Sequence, residues 1–396
     1  MNVIDEGLQN KARYETAPTL TKEYLDKAIE KILKKIDMNL ERFTYKFPSS
    51  SSIDLKYQDI DNVEWTTSFW TGMLWLAYEY TKDEKYRHVA ELHLESFKER
   101  LDRKGPDIQH HDVGFIFTLS SVAAYKLTGN PAARAMSIEA ADFLITRYHE
   151  KAGIIQAWGD LSDPAQRGRI IIDCNMNLPL LYWASEETGD PKYREMAYTH
   201  VQNAAKYIVR DDASTYHTYY LDVETGAPKY GNTHQGYSDE SCWSRGQAWG
   251  VYGFPLTHKY VHDNELMGLS KKVTNYFLNR LPEDDVCYWD LIFTEGNEQE
   301  RDSSAASIAV CGLLEMVKSL PLTDPLRKYY ENASLKIVKS LTDNYLSDNP
   351  EEDGLLLHGV YAKNPGNRGV DEFCIWGDYY YFEALMRLSK DWELYW

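Results

Sequence analysis

The sequence has no long apolar run and no paired-cysteine motif, and each absence excludes a class of protein. No stretch approaches the roughly 18 to 20 apolar residues that cross a bilayer. The first residues, MNVIDEGLQNKARYETAP, contain no apolar core of a signal peptide. The five cysteines are odd in number and form no CxxC pair, which is typical of reduced thiols. We therefore expect a cytoplasmic protein that does not bind membranes.

Positive charge is also scarce, with 43 Lys and Arg against 61 Asp and Glu and a net charge of −18. Nucleic acids and anionic membranes both require a basic face, so neither is an expected partner. The chain also has no glycine-rich phosphate loop, no GxSxG elbow, no HExxH motif and no cysteine cluster. We expect neither a metal nor another cofactor.

What the chain does have is helical periodicity. Twelve segments carry it, near residues 21–42, 66–80, 84–102, 112–128, 131–149, 173–188, 191–209, 241–261, 264–281, 302–318, 324–346 and 372–391. Short turns such as 128–131 (TGNP) join most of them in pairs, which makes paired helices antiparallel neighbours. Six pairs predict an all-α fold, an (α/α)6 barrel formed by one domain over residues 1–396. An open solenoid is the alternative, which the irregular repeat lengths disfavour.

The first helix of each pair is the more apolar one, as in residues 71–77 (TGMLWLA), so the first helices should form the inner ring. Their starts then face one rim, and the long connections between pairs crowd that rim. Loops on a rigid scaffold commonly carry chemistry, so we expect a functional cleft there.

Every segment that enters an inner helix carries an acid near the helix start. Capping of the helix N-terminus is the ordinary reason for such an acid, and we favour it for Asp239, Asp302 and Asp371.

Asp112 and Asp173 have different surroundings. Asp112 follows two histidines, and Asp173 follows an apolar run at 170–172. Desolvation raises the pKa of an Asp among apolar residues, which suits a proton donor. Two acids that face each other across a barrel mouth are an arrangement used in glycosidic chemistry.

A cationic and aromatic cluster follows further along the chain. Arg245 and Trp249 are four residues apart on one predicted helix and therefore share a face. Arg245 suits bidentate binding of a carboxylate; the alternative is an ion pair with Asp239 or Glu240.

Several segments, taken in order, resemble the unsaturated glucuronyl hydrolases of glycoside hydrolase family 88. The matching stretches are HHDVGF at 110–115, IIDC at 171–174, NLPLL at 177–181, GYSDES at 236–241, RGQAW at 245–249, NYFLNRLPED at 275–284, HGVY at 358–361 and IWGDYYY at 375–381. The likeness runs from about residue 60 to the last residues. It is strongest to members from Gram-positive bacteria that act on glycosaminoglycan disaccharides.

The resemblance implies an (α/α)6 barrel without metal or cofactor. It also implies action on the 4,5-unsaturated uronic acid that polysaccharide lyases leave at the non-reducing end. Asp173 matches the principal catalytic residue, a general acid that then acts as base, and Asp112 matches a second Asp that stabilises the developing cation. Substrate contacts are implied or expected at Trp65, Phe69, His111, His217, Gln235, Trp243, Arg245, Trp249, Tyr361 and Arg368. Ser68 stands where the family commonly has Asn.

One loop departs from the family pattern. Streptococcal-type members bind a substrate sulfate with a Ser-x-x-Ser-x-Lys segment after the HGVY motif, whereas this chain reads AKNPGNR at 362–368. Both serines are absent, so we expect no strong preference for 6-sulfated chondroitin disaccharide. Hyaluronan and unsulfated chondroitin disaccharides are equally expected.

Three other functions remain open. An unsaturated rhamnogalacturonyl hydrolase would use the same acids with a different neighbouring sugar. A sugar epimerase on this fold would need paired catalytic histidines and would not depend on Asp173. A non-catalytic carbohydrate-binding module is the alternative from another class. A homodimer is a further hypothesis.

Overall fold

The computed structural model describes residues 3–296 and 298–396, and helices make up most of it. The helices are α1 (Lys22–Leu40), α2 (Thr67–Thr81), α3 (Glu84–Arg103), α4 (Val113–Phe117), α5 (Ala123–Thr128), α6 (Pro131–Ile145), α7 (Pro179–Thr188), α8 (Pro191–Tyr207), α9 (Ser244–Val261), α10 (Asn264–Leu278), α11 (Ser303–Ser319), α12 (Arg327–Ser340) and α13 (Ile375–Ser389). A π-helical turn, Thr118–Val122, joins α4 and α5 into one helix of the barrel. In the described chain, six inner helices (α2, α4–α5, α7, α9, α11, α13) thus alternate with six outer ones. The predicted all-α (α/α)6 barrel is confirmed.

The inner and outer helices differ in how much of their surface is buried. Every residue of α11 from Ser303 to Leu313 is buried, as expected for a helix surrounded by other helices. The outer helix α1 buries a single stripe that includes Leu25, Ile29, Ile32 and Ile36, at spacings of three and four residues. The more apolar helix of each pair therefore forms the inner ring, as predicted.

The short turns within pairs have the chemistry that their sequences predicted. Gly129 and Gly189 end α5 and α7 in the left-handed region, with φ of 69° and 73°. The next residues, Asn130 and Asp190, cap α6 and α8 with their side chains, and a proline follows each cap.

The N-terminal caps differ between the rings. The outer helices α1, α3, α6, α8 and α10 begin at capping side chains, namely Thr21, Asp83, Asn130, Asp190 and Asp263. Among the described inner helices only α11 has such a cap, and its cap is Asp302, as predicted.

The capping predicted for Asp239 and Asp371 is wrong. The Asp239 carboxylate accepts a hydrogen bond from the Thr233 backbone N–H at 2.8 Å, within the loop before α9. Asp371 lies on a strand and pairs with His358. The start of α9 is occupied by Trp243 and that of α13 by Cys374, and neither caps with its side chain.

Short antiparallel sheets line the rim where the inner helices begin. They comprise β1 (Phe47–Pro48) with β2 (Asp59–Ile60), β3 (Tyr148–His149) with β4 (Ile154–Ile155), β5 (Arg169–Ile171) with β6 (Thr218–Leu221) and β7 (Pro228–Asn232), and β8 (Gly359–Ala362) with β9 (Arg368–Glu372). The helix starts expected at 173 and 372 were therefore too early. A 3-10 turn, Ile172–Met176, precedes α7, and strand pairing of Glu372 with Gly359 delays α13.

The last residues close the opposite rim. Trp392, Leu394, Tyr395 and Trp396 are all buried. The Trp396 indole N–H donates to Glu383 at 2.8 Å, and its carbonyl oxygen accepts from the Tyr260 hydroxyl at 2.8 Å. The Trp396 ring lies 5.9 Å from that of Phe115 on α4, so this segment fills the barrel below the inner helix starts. Within the described chain, no helix combines the length and apolarity that a membrane span needs.

Candidate active site

A cavity of about 400 Å³ opens at the rim where the inner helices begin. It is lined by Val63, Glu64, Trp65, Asp107, His110, Asp112, Trp158, Ile171, Asp173, His217, His234, Gln235, Trp243, Arg245, Trp249, Tyr361 and Arg368. Ten of the twelve predicted site residues are among them. The other two, Phe69 and His111, lie behind the wall.

Asp173 follows the buried strand β5 and sits in the first turn of the 3-10 helix. Its Oδ1 is buried without a hydrogen-bond partner in the described structure. Burial, and next the charge of Asp112, raise the pKa of the Asp173 carboxyl well above its ordinary value. The direction expected from the preceding apolar run is therefore confirmed, and Asp173 can hold a proton at neutral pH.

Asp112 occupies the N-cap position of α4 but makes no capping hydrogen bond. Its carboxylate instead lies 3.1 Å from His110 Nδ1, and its Oδ1 accepts from the Asn177 side chain at 3.4 Å. Burial alone would raise the pKa of Asp112, but His111, His110 and Asn177 outweigh it and hold the pKa below the ordinary value. The two acids are thus driven to opposite protonation states.

His111 stands behind both acids. Its Nε2 is 3.4 Å from Asp112 Oδ1 and 3.5 Å from Asp173 Oδ1. Burial lowers the pKa of His111 to about 4, so the ring is neutral at pH 7. Because Nε2 faces two carboxyl groups, it suits the tautomer in which Nε2 carries the hydrogen. From there His111 can orient the acids.

The same three side chains bring three potential metal-ligand atoms within 4.8 Å of one another. A structural zinc site normally uses four ligands and a catalytic one three plus water, often with imidazoles in the majority. Here one imidazole faces two acids, and the raised pKa of Asp173 disfavours the carboxylate form that a metal requires. The expectation of no metal stays a prediction, which treatment with a chelator can check.

Arg245, on the first turn of α9, is buried against β8. Its guanidinium donates to the backbone carbonyls of Val360 and Tyr361 and lies 3.4 Å from the Asp302 carboxylate. The alternative pairing with Asp239 or Glu240 is therefore wrong. The guanidinium also packs 4.4 Å from the Trp243 ring, which holds its plane in a fixed orientation.

Aromatic rings form much of the cavity wall. Trp65 donates its indole N–H to the Tyr361 hydroxyl at 3.3 Å, which joins two sides of the mouth. Trp249 packs beneath, 5.4 Å from the Phe115 ring. Phe69 is fully buried with its ring 5.8 Å from that of Trp65, so it supports this wall from behind. Aromatic faces of this kind suit the apolar faces of sugar rings.

His217 and Gln235 lie on the side of the hairpin β6–β7. His217 Nδ1 accepts a hydrogen bond from the His234 backbone N–H at 3.0 Å, which leaves Nε2 as its donor. Burial lowers the pKa of His217 well below its ordinary value, so this ring is neutral. Gln235 donates to the Tyr361 carbonyl at 3.3 Å.

Three lining rings were not among the predicted site residues, namely His110, Trp158 and His234. Trp158 stacks 4.6 Å from the Arg169 guanidinium and 5.5 Å from the His234 ring. The available signal was a lone tryptophan in the connection 150–172, which leads directly into Asp173. His234 directly precedes Gln235, but a single histidine in a loop carries no pattern of its own.

The cations of loop 362–368 are paired with acids. Lys363 pairs with Glu300. Arg368 lies 3.1 Å from Glu64, donates to Ser50 at 2.9 Å and packs over the Tyr361 ring at 4.3 Å.

Comparison with known proteins agrees with this geometry. The family model described as Glycosyl Hydrolase Family 88 matches residues 35–390. The unsaturated chondroitin disaccharide hydrolase of Streptococcus pneumoniae (strain ATCC BAA-255 / R6) is 49% identical over 395 residues, which cover 100% of this chain and 99% of the relative. The unsaturated glucuronyl hydrolase of Bacillus sp. (strain GL1) is 46% identical over 90% of this chain and 95% of its own length.

Solved structures show the same barrel. The crystal structure of unsaturated glucuronyl hydrolase from Streptococcus agalactiae has a TM-score of 0.97 at 49% identity and covers 100% of this chain and 99% of its own. A variant of that enzyme complexed with dGlcA-GalNAc6S has a TM-score of 0.89 at 46% identity, with the same coverage. Fold, site and relatives together define a glycoside hydrolase. The chain belongs to glycoside hydrolase family 88.

Proposed function

We propose that this chain is an unsaturated glucuronyl hydrolase, which releases the 4,5-unsaturated uronic acid from the non-reducing end of lyase-generated chondroitin or hyaluronan oligosaccharides. The observation that carries the proposal is the acid pair at the cavity floor, since the pKa of Asp173 is raised while that of Asp112 is lowered. The names of the relatives, unsaturated chondroitin disaccharide hydrolase and unsaturated glucuronyl hydrolase, support the substrate class.

The first step is protonation of the substrate double bond. C4=C5 is conjugated with the ring oxygen as a vinyl ether, and neutral Asp173 donates its proton to C4. Positive charge then develops at C5 and the ring oxygen. Ionised Asp112 stabilises this charge, because a fixed carboxylate in a cavity with little water acts strongly on a developing cation.

The second step is hydration. Asp173, now a carboxylate, accepts a proton from the water that attacks C5. The product is a hemiketal, which opens by cleavage of the bond between C5 and the ring oxygen. C1 is then an open hemiacetal, and it collapses to an aldehyde as the remaining saccharide leaves. One carboxyl group thus acts first as acid and then as base.

The remaining lining residues are proposed to hold the substrate. Trp65, Trp243, Trp249 and Tyr361 offer aromatic faces, while His217 and Gln235 offer donors. Arg245 attracts the uronate carboxylate, in a protein whose net charge of −18 otherwise repels it. His111 and Phe69 act from behind the wall, by orienting the acids and supporting Trp65.

We propose that unsulfated disaccharides are used at least as well as 6-sulfated ones. The support is that Lys363 and Arg368 are engaged by Glu300 and Glu64, so neither cation is free to bind a sulfate without breaking an ion pair. We also propose that the protein acts in the cytoplasm, because all five cysteines are buried free thiols.

The test is loss of the near-ultraviolet absorbance of the conjugated enol ether. Substrates are the unsaturated disaccharides of hyaluronan, chondroitin, chondroitin 6-sulfate, heparin and rhamnogalacturonan. Wild-type protein should consume a glycosaminoglycan disaccharide, and Asp173→Asn and Asp112→Asn should not. Asp239→Asn, which removes a rim acid outside the cavity, is the matched control and should retain activity.

Three outcomes would overturn the proposal. No absorbance loss with folded wild-type protein on any substrate would exclude the hydration reaction. Substrate binding that survives Asp173→Asn, with no turnover in the wild type, would favour the carbohydrate-binding module. Preference for the rhamnogalacturonan product would instead assign the other hydrolase.

A further inference from the structure

Asp302 caps an inner helix and is fully buried, although it contacts none of the cavity space directly. We propose that Asp302 is a positioning residue for the reaction, which acts through Arg245 and sets the net charge beside Asp173. The inference rests on the proposed function and deepens it.

The two carboxylate oxygens of Asp302 have separate partners. Oδ1 accepts from the backbone N–H groups of Ser304 and Ala305 at 3.1 and 3.3 Å and from the Ser304 hydroxyl at 2.5 Å. Oδ2 faces Arg245 Nη1 at 3.4 Å. One oxygen is therefore sufficient for the cap, and the other is directed to the guanidinium.

Arg245 cannot turn away from this pairing. Its other contacts are the carbonyls of Val360 and Tyr361. Its guanidinium packs 4.4 Å from the ring of Trp243 and 4.8 Å from that of Trp376. Because carbonyls and rings supply no full negative charge, Asp302 is the carboxylate that balances Arg245.

A cap alone does not explain this arrangement. The other aspartate caps, Asp83, Asp190 and Asp263, start outer helices at the opposite rim. Asp83 and Asp190 have side chains that are 48% and 42% exposed and lie near surface lysines. Burying a carboxylate completely is unfavourable unless it is paired, and Arg245 is the cation that pairs with Asp302.

Arg245 and Asp173 line the same cavity, so the net charge of the Arg245–Asp302 pair acts on Asp173. Asp112 raises the pKa of Asp173, and Arg245 lowers it. His111 is neutral, and the buried hydroxyl and thiol of Tyr380 and Cys174 have raised pKa values, so they carry no charge at pH 7.

Asp302 itself is faced by the thiols of Cys287 and Cys374, which burial also keeps neutral. Burial raises the pKa of Asp302, while Arg245, Ser304 and the backbone donors oppose that shift. These partners favour the ionised form of Asp302, whose charge partly cancels the field of Arg245 at Asp173.

The test substitution is Asp302→Asn. Asn caps a helix about as well as Asp, so the cap of α11 is retained while the charge is lost. Arg245 is then unbalanced and lowers the pKa of Asp173. The reaction requires protonated Asp173, so the rate falls as the pH rises through that pKa. The alkaline limb of the kcat profile should move to lower pH by about one unit.

Two variants serve as matched controls. Asp263→Asn makes the same change at the cap of the outer helix α10 and should leave the profile unmoved. Asp302→Glu retains the charge and should keep the wild-type limb. The proposal would be overturned if the alkaline limb of Asp302→Asn stayed at the wild-type pH, or if that of Asp263→Asn moved equally far.

A second readout needs no turnover. The carboxyl carbon of Asp173 in ¹³C-labelled protein, assigned by its loss in Asp173→Asn, is titrated by NMR. A lower midpoint in Asp302→Asn supports the proposal even if no substrate is consumed, in which case only the proposed function fails. An unchanged midpoint overturns the proposal even if the enzyme is active.

Discussion

The residues at the helix starts have different roles at the two rims of the barrel. At the rim opposite the cavity, five of the six outer helices begin with a capping side chain, which satisfies backbone N–H groups and stabilises the fold. At the cavity rim, the N-cap positions of α4 and α9 hold Asp112 and Trp243, and neither side chain caps. The same position in a helix therefore stabilises the protein at one rim, whereas at the other it places a side chain in the cavity.

The largest expected effect that sharpens this contrast comes from Asp173→Asn. Activity should fall by about 10²- to 10⁴-fold, because the proton donor is lost. Stability should rise at neutral pH. The pKa of Asp173 is raised in the folded state, so its contribution to stability is full below the unfolded pKa near 4 and is lost as the pH rises towards the folded pKa.

Thermal unfolding of the wild type and Asp173→Asn across pH checks this. The midpoint advantage of the variant should grow between about pH 4 and neutral pH, to the order of 1–2 °C. A rate within tenfold of the wild type would show that another group donates the proton.

The second prediction concerns Gly114, the second residue of α4. A Cβ there would lie 2.3 Å from the Asn177 Cα and carbonyl oxygen, and Asn177 is a partner of Asp112. Gly114→Ala should lower the free energy of unfolding by about 1–3 kcal/mol and reduce kcat. Gly268→Ala on the outer helix α10 has open space and should stabilise slightly. Denaturant titration distinguishes them, and equal responses would contradict the close packing at the cavity rim.

The third prediction removes an outer cap. Asp190 accepts the Lys192 backbone N–H at 3.0 Å at the start of α8. Asp190→Ala should lower the free energy of unfolding by about 1 kcal/mol and leave kcat/KM unchanged. A fall in kcat/KM with unchanged stability would show that Asp190 serves the reaction and not the fold, which contradicts the contrast between the rims.

The fourth prediction concerns selectivity at the cavity mouth. Glu64→Gln removes the acid that pairs with Arg368. The ratio of kcat/KM for 6-sulfated over unsulfated chondroitin disaccharide should rise by about two- to fivefold, the range of an exposed ion pair. Lys22→Gln, which breaks an exposed ion pair on α1, is the control. An unchanged ratio would mean that Arg368 does not meet the 6-position of the second sugar.

The smallest expected effect is that of a chelator. Dialysis against EDTA should leave kcat within experimental error, because protonated Asp173 is a poor metal ligand. Loss of activity that added zinc or calcium restores would assign a metal to His111, Asp112 and Asp173 instead.

Helical period and turn residues were enough to predict the barrel. Gly129 with Pro131, and Gly189 with Pro191, end one helix and start the next by local chemistry alone, so their effect is readable in the sequence. The rim was harder. Asp239 and Asp371 have the spacing of caps, but strand pairing and loop hydrogen bonds, which depend on distant segments, moved the helix starts beyond them.

The site residues divide in the same way, into features that depend on nearby sequence and features that depend on distant segments. The apolar run before Asp173 predicted its raised pKa, because burial of that strand follows from composition. The ion pair of Arg245 with Asp302 was not foreseen, because Asp302 lies 57 residues away and meets Arg245 only once α9 and α11 pack together. Trp158 was missed for a similar reason, since its ring neighbours His217 and His234 come from a connection much further along the chain.

The buried C-terminal segment makes the barrel a blind pit and not a tunnel. Trp396 blocks the bore beneath the acids, so the mouth serves for both entry and exit. A polysaccharide cannot be threaded through such a shape. Only a chain end fits, so the pit admits the terminal unsaturated uronic acid and no internal sugar. The shortened chain leaves by the same mouth with a saturated end, which lacks the double bond that the reaction needs. Each chain is therefore cleaved only once.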